Sequence, residues 1–177
     1  MNFRCATAGR TVFICALSAA GVLPLAANAA DAAPQAVFGG AQIQEVYRIR
    51  LDRGDPLLES IEAVIKERNI QDGIVLTGVG SLETCTYHAA STLAPSAEDK
   101  YFTVKGPMEL LNLDGVIAAG EPHIHMTMSK IGKGAFGGHL EKGCKVLYRV
   151  EITIAKTSGP PLERKLNSDG TPALQLK

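Results

Sequence analysis

Apolar and polar positions alternate over residues 43–54, IQEVYRIRLDRG, with Val46, Tyr47, Ile49 and Leu51 on the apolar side. That period predicts a strand ending at Gly54. The period then lengthens. Leu57, Leu58, Ile61, Val64 and Ile65 recur at helical spacing, while Glu59, Glu62, Lys66 and Glu67 lie elsewhere around the wheel, which predicts a helix over about residues 56–69 with a core-facing stripe. Asp55-Pro56 reads as its start, with the carboxylate capping orphan N–H groups and proline in the first turn, where no donor is missed. A β-branched run from Ile74 to Val79 follows, broken by Gly78 and Gly80 and continuing through Cys85 and Tyr87. Glycines inside such a pattern mark a bulge or a close backbone approach.

Residues 91–100, STLAPSAEDK, read as loop. YFTVKG, PMELLNLDGVIAAG, HIHMTMS, AFGGHL and KVLYRVEITIA read as short strands separated by glycine and proline. One helix and about seven strands with short connections predict a single α+β domain on a mainly antiparallel sheet. No internal repeat is present.

The N-terminus sets the compartment. Arg4 and Arg10 precede the apolar run TVFICALSAAGVLPLAA, and Ala27-Asn28-Ala29 has the small residues of a cleavage site. Residues 1–29 therefore read as a signal peptide, and 30–42, ADAAPQAVFGGAQ, as a flexible tether before a domain spanning 43–177. The expected location is periplasmic or secreted. The whole chain carries 18 basic and 18 acidic side chains; without Arg4 and Arg10 the balance is 16 against 18, or −2. A mildly acidic domain lacks the basic face of a nucleic-acid binder, and no second apolar run is long enough to span a bilayer. Cys85 and Cys144 remain after cleavage. They are open to two readings, a disulfide or two small buried hydrophobes.

Three of the four histidines fall in GEPHIHMTMSKIGKGAFGGHL, residues 120–140. On a strand, His123 and His125 leave the same face about 6.5 to 7 Å apart. If the turn IGKG reverses the chain so that paired positions sum to about 264, His139 falls opposite His125, with Cβ atoms roughly 5 Å apart. Three imidazoles so placed form the ligand set of an open divalent-metal site, zinc above all. Gly137-Gly138 clears side-chain bulk where a neighbouring backbone or ligand approaches. His88 stands alone near a strand end and is not assigned as a ligand. Glu109, amid the apolar residues of GPMELLNLDG, is the candidate catalytic carboxylate: a fourth ligand, a partner orienting an imidazole, or a general base. An edge-strand acid facing solvent is the competing reading. Glu121 is the other acid near the cluster.

LTGVGSLETCTYH, GPMELLNLDGVIA, PHIHMTMSKIGKGAFGGHLEKGCKVLYRVEITI and LERKLNSDGTPALQL together resemble the motifs of the plants and prokaryotes conserved (PPC, or PCC) domain family, over roughly Tyr47 to Leu176. The resemblance implies a strongly bent antiparallel sheet and a homotrimer. In plants this domain accompanies AT-hooks and transcription-factor assembly. An Arg-Gly-Arg-Pro hook is missing from this chain, so nucleic acid is not the expected partner. Ser129-Lys130 also departs from the acid that relatives often carry after the histidine strand. A more distant fold resemblance, to acetolactate decarboxylase, implies zinc on a His-x-His pair and a later histidine.

Three functions compete at this level. The first is an exported metal-binding domain, acting as a lyase or hydrolase on a small molecule. The second is a ligand- or protein-interaction module without chemistry. The third is a DNA-binding protein. No P-loop or dinucleotide fingerprint occurs, and GVGS at 78–81 fits a bent strand better.

Overall fold

A computed structural model describes residues 36–168 and 170–177. The signal-peptide expectation lies outside the described residues. Among those described, no helix is long and apolar enough to cross a membrane.

The elements follow in order β1 (Gln42–Asp52), α1 (Leu57–Glu67), β2 (Gly73–Ala90), β3 (Asp99–Ala118), β4 (Glu121–Lys130), β5 (Gly134–Leu140), β6 (Lys145–Ser158), β7 (Leu162–Leu166) and β8 (Pro172–Leu176). Strands β1 to β6 form one antiparallel sheet in the order β1-β6-β2-β3-β4-β5, while β7 and β8 form a separate hairpin. The far edge of the large sheet does not stay open. Tyr87 and His88 of β2 pair with Leu140 and His139 of β5, so β2, β3, β4 and β5 close on themselves. This is the strong bend that the family resemblance implies.

Closure separates two faces. Leu82, Leu110, Leu113, Ile124, Met126, Met128, Leu140, Val150, Ile152 and Ile154 are buried in one apolar cluster, joined by Leu57, Ile61 and Ile65 of α1. Each fully buried aliphatic side chain contributes about 1.5–3 kcal/mol. Because strand side chains alternate, burying Ile124, Met126 and Met128 turns His123, His125 and Thr127 outward.

Two local expectations are corrected. Asp55 does not cap α1: its Oδ2 accepts from the Asp52 N–H at 2.8 Å. Pro56 instead holds extended backbone at φ −76° and ψ 127° and bridges to Lys145, and the Leu57 N–H donates to the Cys144 carbonyl at 2.9 Å. Backbone from the start of β6 thus satisfies a donor assigned to a side chain. YFTVKG and PMELLNLDGVIAAG are one strand of 20 residues, not two. Gly106 and Pro107 form a bulge between Lys105, opposite Thr84, and Met108, opposite Leu82. Gly106 supplies a φ of +99° there, and the proline sits where no ladder donor is needed. LERKLNSDGTPALQL contributes two further strands, β7 and β8.

Cys85 and Cys144 are joined by a disulfide. It ties β2 to the turn between β5 and β6, three residues from both His88 and Glu141.

Candidate metal centre

The β4–β5 hairpin has the register expected from its turn: His125 stands opposite His139, and Met126 opposite Gly138. The glycines serve the close approach of backbone. A Cβ on Gly137 would lie 1.9 Å from the Met126 carbonyl oxygen, and one on Gly138 would lie 2.3 Å from that of His88. Side chains at 137 and 138 would therefore hold β5 away from both its neighbours.

His123 and His125 bring their Nε2 atoms to 3.0 Å with the rings nearly parallel. His139 meets both edge-on, at centroid distances of 4.9 and 5.3 Å. One nitrogen from each ring falls within 4.8 Å of the other two. With zinc–nitrogen bonds of about 2.0–2.1 Å, two nitrogens sharing an ion are separated by roughly 3–4 Å. The group fits a metal in spacing, and it fits in protonation. Burial first, then the Arg164 guanidinium and the neighbouring imidazoles, push the His123 pKa down to about 4. Burial likewise lowers that of His139, helped by His88 and His125 and opposed by Glu141. Neutral imidazole is the ligating form.

Sequence reasoning missed two members of this surface. His88 pairs with His139 across the β2–β5 junction, its ring stacked at 4.4 Å, and its Nδ1 lies 2.7 Å from Glu141 Oε1. His88, His139 and Glu141 make a second group with ligand atoms within 4.8 Å. Asp114 of β3 stands opposite His125, so Asp114, His125, His139 and His88 form one cross-strand row over four strands. No local signal announces this row, because the β2–β5 pairing joins residues about fifty apart in sequence.

Glu109 is not brought to the histidines. It is exposed on β3, opposite Ser81 and Ser129, and lines a separate hollow with Met108, Ile131 and Tyr148. Glu121 does reach the site: a cleft of about 420 Å³ is lined by His88, Asp99, Glu121, His123, His139 and Arg164, with Pro122, Leu166 and Pro172 as apolar wall. Arg164, Leu166 and Pro172 come from the β7–β8 hairpin.

This bent, mainly antiparallel sheet with an outward histidine group is an α+β domain of defined type. The Plants and Prokaryotes Conserved (PCC) domain model matches residues 39–158, and the chain belongs to that family. Among solved structures it is similar to a metal-containing protein from Archaeoglobus fulgidus, at 25% identity and TM-score 0.67, covering 80% of this chain and 98% of that one. A plant- and prokaryote-conserved protein from Pyrococcus horikoshii is similar at 26% identity and TM-score 0.67, covering 79% and 97%. A curated relative, the bifunctional protein GlmU of Synechococcus sp. (strain JA-3-3Ab), is 30% identical over 146 residues, which cover 82% of this chain and 22% of that protein. The chain therefore spans about a fifth of that relative's length.

Proposed function

We propose that this protein is an exported PCC-domain protein that holds one divalent ion, zinc by the character of its donors, on His123, His125 and His139. The observation that carries the reading is the convergence of three ring nitrogens within 4.8 Å on the outer face of a closed sheet. The similarity to a relative described as metal-containing supports it.

An ion bound there supplies Lewis acidity toward a small-molecule oxygen, the chemistry of a metal-dependent lyase or hydrolase. The chain's own groups surround the reacting position. His88, oriented through Nδ1 by Glu141, faces the same cleft as His123 and His139 and is placed to hold or pass a proton. Pro122, Leu166 and Pro172 line one side of the cleft. Export to an oxidising compartment is supported by the Cys85–Cys144 disulfide. Self-association as a homotrimer is supported by apolar side chains on the outer surface, among them Leu76, Leu111 and the cross-strand pair Ile74 and Val116.

Elemental analysis of the purified protein beside His125→Ala tests the reading. About one zinc per chain, lost in the variant, is the expected result. No metal in either protein after incubation with zinc would sink it, leaving an interaction module whose histidines serve packing or assembly.

A further inference from the structure

The cleft over the histidines is lined by a cation, Arg164. Arg164 is partly buried on β7, and its Nη2 donates to the Pro172 carbonyl at 2.8 Å. That bond orients the guanidinium and occupies one of its five N–H donors. Among the described residues no carboxylate lies within ion-pair distance of it. The acids nearby are engaged or peripheral. Glu163 pairs with Lys165 at 2.5 Å, Glu141 holds His88 at 2.7 Å, and Asp99 lies 3.7 Å from His88 Nε2. Glu121 stands exposed at the rim. Several other cations of the domain do have acids beside them, as in Arg50–Asp52, Arg149–Glu151, Lys145–Glu83 and Lys156–Glu45. A guanidinium withdrawn from water needs hydrogen-bonding partners, and the side chains that line the cleft with Arg164 include the imidazoles of His123 and His139.

We infer that Arg164 recognises the carboxylate of a small organic acid, held in the cleft between the β7–β8 hairpin and the histidine group. The planar guanidinium fork matches a carboxylate in two parallel hydrogen bonds. The volume, about 420 Å³, lies toward the lower end of the range of small-molecule sites, a size suited to a small organic acid. Leu166, Pro172 and Pro122 line the wall, which favours an anion with a carbon skeleton over a bare inorganic one. The inference rests on the metal reading for the ligand's second anchor: the carboxylate meets Arg164 while an oxygen at the other end of the molecule faces the three histidines. Arg164 is thus a substrate-binding residue, outside the metal ligand set.

The test is calorimetric titration of zinc-loaded protein with pyruvate, L-lactate, succinate and inorganic phosphate, with zinc content measured on the same samples. Wild type is expected to bind at least one of the three carboxylates more tightly than phosphate. Arg164→Gln should weaken that binding about tenfold or more at unchanged zinc content, and Arg164→Lys should fall between. Equal affinity in wild type and Arg164→Gln, with zinc retained, overturns the inference and leaves the metal reading standing. Failure of wild type to bind any of the three at millimolar concentration, or a preference for phosphate, also overturns it. Absence of zinc from wild type instead defeats the metal reading. The titration then decides on the metal-free protein, where carboxylate binding that depends on Arg164 supports the arginine's role and its absence refutes it.

Discussion

His139 and His88 stand directly opposite each other where β5 meets β2, their rings stacked at 4.4 Å. The pair lies at the seam that closes the sheet, and Glu141, two residues beyond His139, fixes the far side of the His88 ring at 2.7 Å. The site's geometry and the closure of the fold therefore depend on the same few residues.

Glu141 should set the tautomer of His88. A carboxylate at Nδ1 favours the proton on that nitrogen. Long-range proton–nitrogen correlation spectra are expected to show the Nδ1–H form in wild type and a mixture in Glu141→Ala. Urea unfolding of that variant should register a loss of about 1–2 kcal/mol for the missing charge-assisted bond in a half-buried setting.

The two glycines before His139 tolerate no side chain. Gly137→Ala puts a methyl group 1.9 Å from the Met126 carbonyl oxygen, and Gly138→Ala puts one 2.3 Å from that of His88. Either must push β5 off a neighbour, at a cost of about 3 kcal/mol or more. Denaturant midpoints would report this. A midpoint within experimental error of wild type would mean that β5 does not sit between β4 and β2 as described.

The metal-free protein should weaken on mild acidification. His123 has its pKa depressed to about 4 by burial, against 6.5 for a free histidine. Between those values the unfolded chain binds the proton and the folded chain does not, so stability is complete above about pH 6.5 and is lost as pH falls toward 4. With allowance for solvent screening at a partly exposed ring, about 1–2 kcal/mol is at stake. Thermal midpoints of apo wild type and His123→Asn over pH 4–7 check this; the variant's profile should be flatter.

Reduction should destabilise without abolishing the fold. The Cys85–Cys144 bond spans a sequence separation of 59 residues, and freeing a loop of that size costs about 2–4 kcal/mol. Urea midpoints with and without a thiol reductant, and of a Cys85→Ala/Cys144→Ala double variant, should shift together.

What the sequence disclosed follows the range of the interactions involved. The helix stripe of Leu57, Ile61 and Ile65 and the register of His125 on His139 are local, fixed by side-chain period and a short turn, and both could be read directly. Asp55 was misassigned because its competitor for the Leu57 N–H, the Cys144 carbonyl, lies almost ninety residues away. Pro107 reads as a break by its chemistry, yet it sits in a bulge that only the partner strand reveals. His88 is solitary in sequence and becomes part of the site through a two-residue pairing. Glu109 stands out in sequence for its apolar neighbours, but it pairs with Ser129, four residues along β4 from His125, which sets it down the sheet from the histidines.

The family match ends at residue 158, and Arg164, Leu166 and Pro172 lie beyond it. The histidines lie within the matched stretch, while one wall of the cleft comes from the two-stranded hairpin that follows it. The side chains of that wall can therefore change with the hairpin alone, while the strands that carry the histidines stay as they are.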